Sequence, residues 1–476
     1  MALAVVLVAG TACKDGGGGL GVSGDTPKTS PGDIAGLPVT HFESGLKQGA
    51  PKPDLQVRNN GNTPEDELAI ATIADVQGYW TEKLPAEFGG QKFDPVKILV
   101  SYDSKGADQK TACGSTKGQV NAFYCPPDDS VAWDRGGLLK MLNKRFGPMS
   151  VVTVLAHEFG HAIQFRLGQK AGVGKNTPTI VKEQQADCFA GGYMRWIAEE
   201  KSKYLRLSTS DGLSSVLASM FLIRDTAGKS ATEQGAHGSA FDRTYAFQTG
   251  FEKGPKECAG MNEENIKARV TEEPFVKGDK GKGDTKFTKD TVALLKSSLD
   301  EAFKGAGVPG PQIVDEGAGN CGPKSTPPAT YCADNNTVSI DGEKLNILAQ
   351  RIDREAEWQG EDQGGMGDFA AFAEVASRYV LGIQKGVGAS LDNANAGLRT
   401  ACLVGAWAKF AKNPPPGQKL KLSAGDLDEA IADLLLPNSL ISADGNGVRP
   451  PSGFQRVEAL RKGYLEGSPV CSTQFG

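Results

Sequence analysis

Eight of the nine cysteines in this 476-residue chain fall into two sets of four, and no other feature constrains the fold as tightly. Cys113-Gly114 opens a segment that reaches Tyr124-Cys125, and Cys321-Gly322 opens another that reaches Tyr331-Cys332. A valine (Val131, Val338) stands six residues and an aspartate (Asp134, Asp341) nine residues past the second cysteine in both. Further on, Phe241, Arg243, Gly250, Phe251, Gly254 and Cys258 recur as Phe454, Arg456, Gly463, Tyr464, Gly467 and Cys471 at identical spacings, and Cys188-Phe189-Ala190-Gly191 lines up with Cys402-Leu403-Val404-Gly405. Six matches at fixed offsets read as an internal repeat. Residues 63–258 and 285–476 are therefore expected to be two copies of one domain, joined by a linker over 259–284 that ends in the Gly/Lys-rich run beginning at Lys277. Four cysteines per copy allow three pairings. The simplest is Cys113–Cys125 with Cys188–Cys258, mirrored by Cys321–Cys332 with Cys402–Cys471. The alternative leaves Cys188 and Cys402 as buried thiols.

The ninth cysteine belongs to a different pattern. Ala2 to Ala12 is an apolar, small-residue run of signal-peptide length, too short to span a bilayer as a helix. It ends in Gly10-Thr11-Ala12-Cys13, which resembles a bacterial lipoprotein signal and predicts lipidation at Cys13. A plain secretory signal is the alternative, since no Lys or Arg precedes the run and Gly10 stands where leucine is usual. Either way residues 1–13 predict export to the cell envelope, with a membrane attachment through Cys13 if it is lipidated. The even remainder of eight cysteines agrees with an oxidising compartment. Residues 14–62, rich in Gly, Pro, Ser and Thr without apolar periodicity, read as a flexible tether. The net charge of −5 and pI near 5.6 give no basic footprint, so nucleic acid is not an expected partner. The sequence leaves the oligomeric state open.

The chemistry is concentrated in the first copy. Ser150 to Gly168 reads as one helix, with Ser150 able to cap its start and Gly168 its end. It contains His157-Glu158-Phe159-Gly160-His161. Histidines at i and i+4 lie on one helical face about 5–6 Å apart, a spacing that lets two imidazoles meet one Zn²⁺. Glu158 then stands beside the metal, placed to take a proton from a zinc-bound water. Only four histidines occur in the chain, which makes the pattern hard to obtain by accident. Catalytic zinc takes three protein ligands plus water. Thr177-Pro178 can start a second helix that runs toward Lys203 and carries Glu183 and Asp187 at i and i+4. Glu183 is assigned as third ligand and Asp187 as the acceptor that fixes the tautomer of a ligand histidine, the reverse assignment staying open. His237, next to Gly238-Ser239, is a candidate donor to the oxyanion, with Tyr124 as another, against a plain loop or capping role for His237.

Residues 98–258 resemble the bacterial family of "putative neutral zinc metallopeptidases". The marks are Ala112-Cys113-Gly114, Phe123-Tyr124-Cys125-Pro126 with Asp128, His157 through Gln164, Glu183-Gln184-Gln185-Ala186-Asp187-Cys188 with Ala190-Gly191, and His237-Gly238-Ser239. The resemblance implies peptidase activity with Zn²⁺ as cofactor and favours Glu183 over Asp187 as ligand. It implies a helix-rich α+β fold, a zincin-like domain here duplicated in tandem. Short strands are expected near the site at Lys97–Tyr102 and Ser130–Trp133.

In the second copy, aligning Gly382-Ile383-Gln384 with Ala162-Ile163-Gln164 puts Ser377, Arg378 and Leu381 where His157, Glu158 and His161 stand, and Gly397 and Ala401 where Glu183 and Asp187 stand. That copy is read as degenerate and unable to bind zinc. The expected function is hydrolysis of peptide bonds in a peptide or protein substrate. A zinc-stabilised surface binding module and a metal-dependent cell-wall amide hydrolase are the rivals.

Overall fold

Helix starts set the frame of the N-terminal half. Thr63 accepts a hydrogen bond from the Asp66 N–H and Pro64 occupies the first helical position, so a helix runs Pro64–Glu87. Its inner face, with Tyr79 and Trp80 almost wholly buried, packs on two central helices, Pro148–Leu167 and Thr179–Ala198. In this computed structural model the described residues are 30–476 without 234, 272–273, 276–284, 319–320, 322–323 and 362–363. Cys13 and the expected export signal lie outside them, as does most of the 277–285 run.

Both central helices differ slightly from expectation at their ends. The first starts at Pro148 rather than Ser150, whose hydroxyl donates to the Gly147 carbonyl instead of capping. Proline's fixed φ makes it the better first residue. The second stops at Ala198 rather than near Lys203, where Glu200 adopts a left-handed φ of 59°. Gly168 ends the first helix as expected, its N–H bonding to the Gln164 carbonyl.

A four-stranded sheet lies beside these helices in the order Val57–Arg58, Ile98–Tyr102, Ser130–Asp134, Ala122–Cys125. The first three strands run parallel, and Ala122–Cys125 is the antiparallel edge, with Tyr124 opposite Val131. The stretch from residue 30 to 62 corrects the expected tether. Asp33–Ile34 pairs with Leu37–Pro38, Gly45–Leu46 pairs with Leu205–Arg206, and Val57–Arg58 is a sheet strand. Ile34 is fully buried and Leu37, Val39 and Leu55 pack against the core. These apolar residues dock singly along the helices, a mode that leaves no periodic trace in sequence. Part of the expected linker is also ordered: Asn262 caps a short helix, Glu263–Lys267, through a reciprocal capping box.

The C-terminal half follows a similar element order. Helices Asp368–Gly386, Ala394–Lys412, Gly453–Glu466 and Ser468–Phe475 correspond to Pro148–Leu167, Thr179–Ala198, Ala240–Lys253 and Pro255–Ala259. A three-stranded sheet repeats the same pairing: Gln312–Asp315 runs parallel to Thr337–Ile340, which runs antiparallel to Ala329–Cys332, with Tyr331 opposite Val338. The result is a helix-rich α+β fold. The expected pairs Cys113–Cys125, Cys188–Cys258, Cys321–Cys332 and Cys402–Cys471 are all bonded.

The glycines of the repeat explain themselves in the helix packing. A side chain on Gly250 would place its Cβ 1.7 Å from the Cys188 carbonyl oxygen, and one on Gly191 would sit 2.0 Å from that of Phe247. Gly463 and Gly405 stand in the same relation to the carbonyls of Cys402 and Leu460, at 1.8 and 1.9 Å. Backbones this close exclude every residue but glycine. The halves meet with swapped partners: Phe241 packs on Tyr464 and Phe251 on Phe454, ring centres 5.1 and 4.9 Å apart. Since Phe241 corresponds to Phe454 and Phe251 to Tyr464, the contact is isologous, as in a two-fold dimer. Among the described residues no helix is long and apolar enough to cross a membrane.

Candidate metal centre

The two central helices approach so closely that a Cβ on Gly160 would lie 2.7 Å from Ala186 Cα. This brings the histidine turn of one helix against the Glu183–Asp187 turn of the other. His157 Nε2 lies 3.2 Å from Glu183 Oε2, and His161 Nε2 lies 3.5 Å from Glu183 Oε1. The two imidazoles stand edge to face with centres 4.8 Å apart. One donor atom from each of His157, His161 and Glu183 falls within 4.8 Å of the other two.

Both histidines are held from behind. His157 Nδ1 lies 2.8 Å from Asp187 Oδ1, which leaves Nε2 as the atom facing Glu183. Asp187 in turn receives Nε and Nη2 of buried Arg243 at 2.9 and 2.8 Å. Arg243 also donates to the Ile223 carbonyl. His161 Nδ1 lies 3.0 Å from Gln164 Oε1, and the Gln164 amide is fixed by the Lys182 carbonyl and Gln185. Asp187 thus sits on the far side of His157 from Glu183.

Burial works against a charged His157, but Asp187 and Glu183 outweigh it and bring the imidazole up to about 10. Burial likewise opposes ionisation of Glu183, yet His161 and His157 hold its carboxyl below the ordinary range, with His237 adding to the effect. Asp187 is also lowered: burial opposes this, and Arg243 and His157 overcome it. Carboxylates this crowded, Glu158, Glu183 and Asp187, are stabilised by positive charge among them, and a divalent cation held by the imidazoles and Glu183 would supply it. Glu183 Oε2 is buried without a hydrogen-bond donor in line, although His157 Nε2 is near, and is the kind of atom a cation satisfies. Two imidazole nitrogens and one carboxylate form a donor set suited to zinc.

Glu158 faces the same cluster, its carboxyl shielded from solvent. Its Oε2 accepts the backbone N–H of Tyr124, from the edge strand, at 2.9 Å. Burial raises its pKa, partly offset by His157 and His161. The Tyr124 hydroxyl donates to Asp129 Oδ1 at 2.9 Å, so the phenol, the second candidate for the oxyanion donor, is committed elsewhere, and the residue's N–H is what reaches Glu158. His237 is exposed at the rim. Its N–H and that of Gly238 both donate to Asp225 Oδ2, and its ring Nδ1 lies 3.5 Å from Asp225 Oδ1. Ser239 caps the helix that carries Arg243.

Arg243, Gln164, Asp225 and the Tyr124 N–H were not assigned roles from sequence. Gln164 and Arg243 left a trace there, as a mark of the resemblance and as a repeat match, whereas a backbone N–H leaves none.

The corresponding place in the C-terminal half is filled. Arg378, fully buried, donates to the carbonyls of Leu440, Ala443 and Asp444 at 2.9, 2.7 and 2.8 Å. A Cβ on Gly397, where Glu183 would stand, would lie 2.4 Å from the Ser442 carbonyl oxygen. Among the described residues one other acidic cluster could face a cation: Asp368, Asp426 and Glu429. Its carboxylates already accept the N–H groups of Thr285, Ser423 and Phe369.

Residues 32–261 match the model of a family described as "Putative neutral zinc metallopeptidase". An uncharacterized protein of Mycobacterium tuberculosis (strain ATCC 25618 / H37Rv) is 30% identical over 168 residues, which cover 31% of this chain and 57% of the relative. The uncharacterized protein YpfJ of Escherichia coli (strain K12) is 28% identical over 239 residues, covering 45% of this chain and 79% of the relative. The chain thus spans less than two thirds of the mycobacterial relatives it matches. No solved structure matches. The stretch that matches the family model contains both histidines of the motif, Glu183 and Asp187, so the likeness to a zinc metallopeptidase family falls on the half that carries the cluster.

Proposed function

We propose that the chain is a zinc-dependent peptidase acting outside the cytoplasm. The observation that carries this reading is the convergence of His157, His161 and Glu183 within 4.8 Å, with Glu158 beside them. His157, His161 and Glu183 would hold the metal, and Asp187 would orient His157. Bound zinc supplies Lewis acidity toward a carbonyl and a water acidified toward a pKa of about 7. Glu158 takes the proton from the attacking water on its carboxylate and returns it to the leaving amine, a relay favoured by a carboxyl whose pKa burial has raised. The Tyr124 N–H holds that carboxylate in place. His237 stands at the rim as a candidate donor to the developing oxyanion. Ala122–Cys125 ends the sheet beside the motif helix, and an extended peptide substrate can add there as a further strand.

Four disulfides among the described residues support an extracytoplasmic setting. Attachment through a lipid on Cys13 belongs to the same reading. The C-terminal half is proposed to be a degenerate second copy that has exchanged its ligands for Arg378 and serves as a packing partner.

The test is a digest of a broad peptide library, with peptidoglycan in parallel, by the wild type and by Glu158→Gln. Cleavage of peptides by the wild type, reduced at least about 100-fold in the variant, is expected. Full turnover by Glu158→Gln would refute the general-base role. Release from peptidoglycan alone would move the substrate to a cell-wall amide.

A further inference from the structure

Phe165 is 59% exposed and, among the described residues, is the only aromatic side chain among the exposed large hydrophobics. A lone exposed aliphatic residue calls for no explanation, but this phenylalanine stands beside the chemistry. It lies one turn past His161 on the same helix, and i, i+4 geometry gives the two side chains one face. Glu158, seven residues earlier, shares that face. A second observation fixes the direction. The Phe165 ring lies 6.3 Å from the ring of Tyr124, whose N–H holds Glu158. Phe165 therefore sits where the motif helix and the edge strand Ala122–Cys125 come together, about 6 Å along the helix axis from His161. The Tyr124 ring is buried and fixed through Asp129, which Arg166 Nη2 contacts at 3.2 Å, so Phe165 projects from a rigid wall.

We propose that Phe165 is a specificity-determining residue: with Tyr124 behind it, it receives a large apolar side chain of a peptide substrate next to the bond being cut. This rests on the zinc peptidase reading and narrows its substrate class to peptides with an aromatic or long aliphatic residue flanking the scissile bond. A substrate lying along the edge strand carries side chains alternately toward and away from the helix, so one near the metal can reach this ring. Covering an exposed ring with an apolar partner removes surface from water on both sides, and the aromatic contact itself is directional.

Hydroxamates test this without knowledge of the substrate, because the hydroxamate group chelates zinc whatever arm it carries. Acetohydroxamate and 3-phenylpropanohydroxamate are titrated calorimetrically into the zinc-loaded full chain, as wild type, Phe165→Ala and Phe165→Leu. Phe165 is exposed, so neither variant should disturb folding. The expected result is that the phenyl arm tightens binding to the wild type by about fivefold to tenfold. Phe165→Ala should lose that gain, Phe165→Leu should keep part of it, and acetohydroxamate should bind all three alike. A phenyl gain that is absent, or equal in wild type and Phe165→Ala, overturns the assignment while leaving the zinc site standing. Failure of both hydroxamates to bind, with no zinc retained, overturns the assignment together with the peptidase reading beneath it.

Discussion

Asp187 shows how much of the candidate site rests on a residue outside the cluster of His157, His161 and Glu183. It takes the Nδ1 side of His157 and is itself gripped through two nitrogens by Arg243, so the imidazole is fixed in ring orientation and in tautomer. Partners of this kind are worth about 10–100-fold in metal affinity. Asp187→Asn should weaken zinc binding by about that factor, measured by competition with a chromophoric chelator, while zinc stoichiometry at saturation stays unchanged. An unaltered affinity would mean that His157 needs no such support. The ligand pattern was legible in sequence because it is local: His157 and His161 are four apart, as are Glu183 and Asp187. Arg243 lies 56 residues beyond Asp187, and its contact depends on how a third helix docks. The repeat flagged Arg243 but could not say what it holds.

At the scale of elements, the helix carrying Arg243 reaches Asp187 because Gly191 and Gly250 let two backbones nearly touch. The Cys188–Cys258 bridge ties the Asp187 helix to the segment that follows Arg243's helix. Gly250→Ala would push a methyl into the Cys188 carbonyl, with backbone on both sides and no flexible side chain to yield. It should cost about 3 kcal/mol or more in urea unfolding and weaken zinc retention, because Arg243 moves with the helix. Glycine matches in the repeat marked these positions from sequence, and helix–helix contact explains them. The segment from residue 30 to 62 was misread because its apolar residues dock one by one. Its strands of two residues carry no alternation to detect.

At the scale of the whole molecule, the two halves meet through the ring contacts Phe241–Tyr464 and Phe251–Phe454, and on the proposed reading the C-terminal half is a copy without the ligand set. The seam also bears on the site. Arg224 pairs with Glu357 of the C-terminal half at 3.2 Å, Arg354 donates to the carbonyls of Leu222 and Arg224, and Asp428 accepts the Phe241 N–H. These contacts steady the segment whose Ile223 carbonyl holds Arg243 and whose Asp225 holds the His237 loop. Arg224 is mostly buried, so Arg224→Ala removes a shielded partner and should lower stability by about 3 kcal/mol in denaturant titration, with zinc stoichiometry intact. Equal stability would show that apolar packing alone joins the halves. The sequence showed no candidate ligands at the matching positions of the C-terminal half, but not that Arg378 is held there by the Asp444 and Leu440 carbonyls, since those contacts span more than sixty residues. The most direct measurement is zinc content of the purified, metal-loaded chain by mass spectrometry, for the wild type and for a His157→Ala, His161→Ala double variant. One zinc per wild-type chain and none in the variant is the predicted result. Equal zinc in both, or none in the wild type, would contradict it.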